Sequence, residues 1–153
     1  MLQHAAAYEI NHLGRILLED CKEPLHFKYM PHAVFTEPEI ASVGITEQKA
    51  KEKNIKYITS TTNWLASAKA MSTRLHYPVT KFLINPDNYE ILGCHMIGPE
   101  SSTMMHQVLA VMHINNDVRH IKEMLYIHPA LSEALLPAAV AAVKEVEKYN
   151  KKS

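Results

Sequence analysis

Glycine is scarce in this sequence, and its four copies stand far apart, at positions 14, 44, 93 and 98. A dinucleotide-binding loop of the GxGxxG type and a Walker phosphate-binding loop both need glycines close together. Neither motif is present, and there is no GxSxG nucleophile elbow. The sequence therefore offers no recognisable nucleotide site and no activated serine of its own.

Cysteine is also rare, since Cys21 and Cys94 are the only two and lie far apart. They form no CxxC pair and no disulfide framework. Separate free thiols are typical of a reducing compartment, so we expect a cytoplasmic protein. Histidine is frequent, with ten copies, but His106, His113 and His120 are seven residues apart. Metal ligands on one helix face usually lie three or four residues apart, so no metal site is predicted.

Net charge is absent as well, because 16 Lys and Arg residues balance 16 Asp and Glu residues. A neutral surface gives no electrostatic attraction to nucleic acid or to an anionic membrane. No apolar run approaches the ~20 residues that a membrane-spanning helix needs. No basic region followed by an apolar stretch marks a signal peptide. We therefore expect neither nucleic acid nor membrane as a partner.

The beginning of the chain predicts an amphipathic helix over residues 1–20. Apolar side chains recur on one face of it, at Ala6, Ile10, Leu13 and Leu17. A connector with two prolines follows, over residues 21–31. A helix that leads only into a connector is typical of the last element of another domain, so we expect a preceding domain to be missing.

The middle of the chain predicts strands, because β-branched and aromatic residues are frequent over 33–43, 57–64, 79–84 and 90–97. Pro38 limits the first of these to an edge strand, a bulge or two short strands. The last two flank the turn-forming cluster Asn85-Pro86-Asp87-Asn88 and predict a hairpin. We therefore expect a mostly antiparallel sheet.

Helices are predicted between and after these strands. Thr46 should cap a short helix over 47–53, and Ser101 or Ser102 should cap the helix that contains the core residues Met105, Val108, Leu109 and Met112. Two more helical segments cover residues 118–125 and 129–149. Strands and helices in uneven blocks favour an α+β fold over βαβ repeats.

The strongest candidate for chemistry is His128, which directly precedes Pro129 and is followed five residues later by Glu133. Pro129 suits the first position of a helix, so Glu133 could reach back to the imidazole from the first turn. A carboxylate beside an imidazole orients the ring and raises the proton affinity of its far nitrogen, which makes a general base. The same pattern also caps helices, so catalysis and capping both remain open at this point. Pro137 predicts that the helix bends or restarts just after the pair.

Three ordered segments resemble the C-terminal dimerisation domain of the pyridine nucleotide–disulfide oxidoreductases, and most closely its dihydrolipoamide dehydrogenase branch. They are residues 31–44 (PHAVFTEPEIASVG), residues 91–99 (ILGCHMIGP) and residues 128–133 (HPALSE), the last of which matches the family's His-Pro-x-x-x-Glu motif. Met1-Leu2-Gln3-His4 followed by Ala5 resembles the start of the last helix of the family's FAD domain.

The resemblance implies a division of the chain into three parts. Residues 1–22 would be the terminal helix of a missing FAD-binding domain, 23–32 a linker and 33–150 the dimerisation domain. Met1, Leu2, Gln3 and His4 would contact FAD in the intact parent, which would also use NAD or NADP. The fragment itself is expected to hold no cofactor and to be inactive alone.

The resemblance also implies a function for the histidine–glutamate pair. The family forms homodimers, in which His128 and Glu133 would supply the acid–base pair to the partner subunit's active site, acting on a small dithiol or disulfide. A cis bond is expected between His128 and Pro129.

Departures from the family pattern keep alternatives open. Ala134 stands where glutathione reductases tend to have a second glutamate, and Lys151-Lys152-Ser153 stands where mercuric reductases end in two cysteines. These features disfavour glutathione and mercury as substrates, although a fragment of either reductase remains an alternative. A non-catalytic dimeric interaction module of the same fold is the other.

Overall fold

The computed structural model of the chain describes residues 2–152, which divide into two units between Met30 and Pro31. The first unit consists of helix α1 (Gln3–Glu19) and a connector that forms neither helix nor strand over residues 20–30. The helix ends where Asp20 adopts a left-handed backbone conformation with φ of 52°. None of its residues is buried, although apolar side chains follow one face as predicted.

The second unit is built on a five-stranded sheet in the order β1-β2-β5-β4-β3, in which every neighbouring pair is antiparallel. The strands are β1 (His32–Val34), β2 (Ile40–Gly44), β3 (Ile58–Asn63), β4 (Val79–Ile84) and β5 (Ile91–Ile97). Strands β4 and β5 form the predicted hairpin. The α+β fold with a mostly antiparallel sheet, expected from the sequence, is confirmed.

In the described part of this unit, residues 31–152, the α-helices that accompany the sheet are α2 (Glu47–Glu52), α3 (Ala68–Ser72), α4 (Ser101–Ile114), α5 (Val118–Glu123) and α6 (Leu135–Asn150). Helices α4 and α6 contact the sheet, and α5 contacts both of them. Part of the core is a cross-strand row of the fully buried residues Val43, Cys94 and Phe82. Within residues 2–152, no helix combines the length and the apolar character that crossing a membrane requires.

The strand-like run around Pro38 forms two short strands, one of the three possibilities that the sequence left open. β1 and β2 pair with each other on either side of the bend, and the Glu37–Pro38 bond within the bend is cis. Thr46 caps α2 as predicted, because its Oγ1 accepts a hydrogen bond of 3.2 Å from the Lys49 N–H.

The predicted serine cap of α4 is wrong. The residue before the helix, Glu100, has a left-handed backbone and no capping side-chain bond. The cap comes from Glu39 instead, whose Oε2 accepts hydrogen bonds from the N–H and the hydroxyl of Ser102, at 3.1 and 2.8 Å. Ser101 donates its hydroxyl to the Gly98 carbonyl at 2.8 Å. Glu39 therefore joins the bend before β2 to the start of α4.

The C-terminal helical region differs from the prediction in its first turn. Pro129 is not the first helical residue, because Ala130 is still extended and a 3₁₀ turn covers Leu131–Ala134. α6 begins only at Leu135, so the predicted restart just after Glu133 is confirmed. Pro137 lies in the first turn of α6, where its missing N–H leaves no backbone bond unmade. Upstream, α5 ends at Glu123, two residues earlier than predicted.

A buried tryptophan fixes the chain between β3 and α3. The indole Nε1 of Trp64 donates to Thr80 Oγ1 on β4 at 2.8 Å, and both residues are buried. Gly98 makes room for the ring, because a Cβ at that position would lie 2.7 Å from it. Trp64 opens a 3₁₀ turn that ends at Ala66, so this anchor determines where Ser67 and α3 begin.

Candidate functional site

The candidate site lies on the segment between α5 and the 3₁₀ turn, which carries His128. Tyr126 anchors this segment, since its hydroxyl donates to the Ile121 carbonyl of α5 at 2.8 Å. Burial raises the pKa of Tyr126 to about 12, so the hydroxyl remains a donor near neutral pH. Leu125 and Ile127, on either side of it, are exposed. The segment thus presents alternate side chains to solvent and ends in His128.

His128 and Glu133 are in direct contact. Nδ1 of His128 lies 2.8 Å from Glu133 Oε1, and the side chain of His128 is 68% exposed whereas that of Glu133 is 19% exposed. The other carboxylate oxygen, Oε2, accepts a hydrogen bond of 2.8 Å from the Ala130 N–H. The His128–Pro129 bond is cis, as the resemblance implied.

The carboxylate of Glu133 makes two contacts, one to the backbone before the 3₁₀ turn and one to the imidazole of His128. Its bond to Ala130 is one half of a capping box, for which Ala130 has no side-chain oxygen to supply the other half. Its bond to His128 orients the ring. Capping and ring orientation are therefore two uses of one carboxylate, each through its own oxygen.

The protonation state of the pair follows from its hydrogen bonds. The Ala130 N–H and, after it, the His128 ring lower the pKa of the Glu133 carboxyl. An ionised carboxylate can only accept, so the Nδ1 atom that faces it must carry the proton. In the neutral imidazole, Nε2 is then the basic nitrogen. Nε2 makes no hydrogen bond to the described part of the chain, residues 2–152.

The residues expected to contact FAD lie elsewhere in the chain. Leu2 is the residue that precedes α1, and Gln3 and His4 are in its first turn. Met1 lies outside the described residues. The structure therefore brings His128 and Glu133 together with each other but leaves these residues in the other unit.

The two cysteines and two further histidines have other surroundings. Cys21 and Cys94 are free, and burial raises the pKa of the Cys94 thiol. His106 and His113 each direct Nδ1 to the backbone carbonyl four residues earlier. Within residues 2–152, no three His, Cys, Asp or Glu side chains come together in a way that could hold a metal ion.

Sequence reasoning missed one contact of the site, made by Ser67. Its hydroxyl donates to the Ala130 carbonyl at 3.0 Å across 63 positions of the chain. No local pattern around Ser67 distinguishes it from an ordinary helix-capping serine, and only the fold brings it to the histidine segment.

A comparison with family models matches residues 30–139 to the pyridine nucleotide-disulphide oxidoreductase dimerisation domain. Among curated relatives, the mitochondrial dihydrolipoyl dehydrogenase of Schizosaccharomyces pombe is 32% identical over 118 residues, which cover 77% of this chain and 23% of that protein. A chloroplastic dihydrolipoyl dehydrogenase of Arabidopsis thaliana is 32% identical over 140 residues, 88% of this chain and 24% of that protein. The chain thus spans about a quarter of these relatives.

Solved structures share the fold. The HOCl-induced flavoprotein disulfide reductase RclA of Escherichia coli superposes with a TM-score of 0.82 at 22% identity, covering 90% of this chain and 31% of that one. LpdA of Mycobacterium tuberculosis superposes with a TM-score of 0.80 at 20% identity, covering 91% of this chain and 30% of that one. With the family match over residues 30–139, the chain belongs to the pyridine nucleotide–disulfide oxidoreductase dimerisation-domain family.

Proposed function

We propose that this chain is the dimerisation part of a flavin-dependent disulfide oxidoreductase and that it supplies His128 as acid–base catalyst to the active site of a partner subunit. The observation that carries the proposal is the 2.8 Å contact between His128 Nδ1 and Glu133 Oε1 on an exposed segment. It leaves Nε2 basic and accessible, as a base for an external substrate must be. Membership in a dimerisation-domain family implies the self-association that this arrangement requires.

The chemistry that we assign to the pair is the transfer of one proton. The proton passes from the substrate thiol to His128 when the dithiol is oxidised, and back when the reaction runs in reverse. Nε2 of His128 removes the S–H proton of a dithiol substrate, and the resulting thiolate attacks a disulfide carried by the opposite subunit. A new S–S bond forms between substrate and subunit while the original S–S bond breaks and releases a thiolate. Glu133 stabilises the imidazolium formed in this step, as the aspartate does in the serine-protease triad.

The dithiol that we propose as substrate is a dihydrolipoyl group. Its support is the set of relatives that are named dihydrolipoyl dehydrogenase and align over as much as 91% of this chain. A small dithiol also suits the location of His128, because a side chain 68% exposed on an open segment can meet a substrate presented by another subunit.

FAD and a nicotinamide cofactor belong to the same proposal. Bound FAD would exchange electrons with the disulfide centre. The residues that would touch it are Met1, Leu2, Gln3 and His4, and the support for them is the resemblance of their sequence. Leu2, Gln3 and His4 form one helix end and could contribute to one side of a cofactor site that other domains complete.

The test uses a chimera in which residues 31–152 replace the corresponding C-terminal part of the Schizosaccharomyces pombe dihydrolipoyl dehydrogenase. We expect His128→Gln to lower kcat for dihydrolipoamide oxidation by about 10²- to 10⁴-fold, the range for loss of a general acid–base. Flavin absorbance and the dimer mass in sedimentation should stay those of the unsubstituted chimera.

His76→Gln, which changes another exposed histidine, is the matched control and should retain full turnover. Full turnover by the His128→Gln chimera as well would remove the catalytic role of His128. An interaction module without chemistry of its own would then be the better description of the chain.

A further inference from the structure

Ala130, two residues after His128, is held on both sides of its peptide backbone. Its N–H donates to Glu133 Oε2 at 2.8 Å, and its carbonyl accepts the hydroxyl of Ser67 at 3.0 Å. The carbonyl also receives the Glu133 N–H at a longer 3.4 Å. Any displacement of Ala130 therefore moves the anchor of the carboxylate that orients the histidine.

Ser67 is well suited to hold this backbone still. It is 1% exposed, so water cannot replace a bond that it fails to make. A hydroxyl has one donor and two acceptor positions. Ser67 uses the donor on Ala130 and accepts from the Ala70 N–H at 3.3 Å, which caps α3. The cap in turn orients the hydroxyl hydrogen toward the histidine segment.

The turn that leads into Ser67 is fixed by a buried hydrogen bond. The 3₁₀ turn that leads into it begins at the buried Trp64, whose indole is fixed on Thr80 of the sheet. By contrast, Leu125 and Ile127, just before His128, are exposed and add little restraint to their own segment. The Ser67 hydroxyl thus links a buried part of the fold to the segment that carries His128, which the Tyr126 hydroxyl also anchors.

We propose that Ser67 is a positioning residue for His128, acting through Ala130 and Glu133. The chain of contacts runs from the Ser67 hydroxyl to the Ala130 carbonyl, from the Ala130 N–H to Glu133 Oε2, and from Glu133 Oε1 to His128 Nδ1. The importance of Ser67 for catalysis rests on the proposed function. Its effect on the tautomer of His128 is a property of this chain that can be measured directly.

The experiment records the tautomer of neutral His128 by ¹⁵N NMR of the 153-residue chain, because the two ring nitrogens differ in chemical shift when only one is protonated. Wild-type His128 should be protonated on Nδ1. Ser67→Ala should lower the ratio of the Nδ1–H to the Nε2–H form about fivefold, the change that one net hydrogen bond produces. Ser67→Thr keeps the hydroxyl and should restore the wild-type ratio.

Asn63→Ala is the matched control for a lost cap. Asn63 Oδ1 caps the 3₁₀ turn next to Ser67 by accepting from the Leu65 N–H, and the residue makes no hydrogen bond to Ala130. We expect this variant to be less stable while the His128 tautomer ratio stays unchanged. A shift as large as that of Ser67→Ala would show that the loss of any nearby cap is sufficient, and would overturn the role of Ser67.

The possible failures are distinguishable from one another. A folded Ser67→Ala chain with the wild-type ratio overturns the role of Ser67 and leaves the histidine–glutamate pair intact. A wild-type chain whose His128 is not protonated on Nδ1 overturns the pair itself and with it the proposed function. If Ser67→Ala does not fold, Ser67→Cys takes its place under the same criterion, since a thiol leaves no cavity and is only a weak donor.

Discussion

Helices α1 and α6 have nearly the same length, 17 and 16 residues, and both have an apolar face. Yet α1 has no buried residue, whereas α6 buries Leu135, Ala138, Ala139, Ala142, Val143 and Val146. The difference is that α6 packs against β3, β4 and α5. An apolar stripe thus predicts a helix in both regions, but the stripe stabilises the fold only where another element covers it.

The comparison also bears on the proposed function. Leucine side chains on α1 are exposed by half or more, with Leu17 at 71% and Leu18 at 87%. Exposed apolar side chains gathered on one helix suit contact with another surface. This supports the proposal that α1 belongs to the FAD domain, whereas residues 31–152 carry the core and the proposed acid–base pair.

The largest effect is expected from truncating a leucine in the second unit. Leu83 on β4 is fully buried, so Leu83→Ala removes transfer energy and leaves a cavity. We expect the free energy of unfolding to fall by about 2–5 kcal/mol. Urea unfolding followed by tryptophan fluorescence measures it, since Trp64 is buried in the same unit. A loss below that range would mean that the side chains around Leu83 are packed less tightly than its burial indicates.

An intermediate effect on the free energy of unfolding is expected from Glu133→Gln in the second unit. The folded state lowers the pKa of this carboxyl, so its stabilising contribution is present above the unfolded pKa of about 4.3 and is lost as the pH falls through the folded value. The substitution should therefore destabilise the chain near pH 7, and the difference between the two chains should shrink as the pH falls from 7 through the folded pKa of Glu133. Unfolding midpoints of both chains across this range are the measurement, and a difference independent of pH would contradict the assigned charge.

The smallest effect is expected from the same leucine truncation in α1. Leu17→Ala changes an exposed side chain, and surface substitutions usually alter the free energy of unfolding by less than about 0.5 kcal/mol. Comparison with Leu83→Ala under identical conditions keeps the chemistry of the change constant. A loss of similar size in both variants would show that α1 is packed in solution, and the contrast between the two regions would disappear.

Much of the fold follows from local sequence. The hairpin around Asn85-Pro86-Asp87-Asn88, the cap by Thr46 and the restart of the helix near Pro137 all rest on residues within a few positions of each other. Turn chemistry, capping and the missing proline N–H act over that range. Pro38 left three possible structures for its segment: an edge strand, a bulge or two short strands. The pairing of β1 with β2 decided for two short strands.

Contacts between distant residues were not predictable in this way. The carboxylate that caps α4 comes from Glu39, so the nearby serines were the wrong choice. The first turn after Pro129 is a 3₁₀ turn preceded by extended Ala130, because that backbone is held by Glu133 and by Ser67. Each of these bonds joins groups that only the folded sheet and helices bring together.

The sequence by itself determined the α+β class, the positions of the strands and of most helices, and the pairing of His128 with Glu133 as a candidate, because periodicity and short spacing carry that information. It did not predict helix α3 (Ala68–Ser72). Tertiary structure decided which oxygen of Glu133 orients the ring and which holds the backbone. It also brought the Ser67 hydroxyl to Ala130. The physical reason is that a hydrogen bond requires its two atoms within about 3 Å, a condition that sequence spacing can meet over one helical turn and that only packing can meet over longer separations.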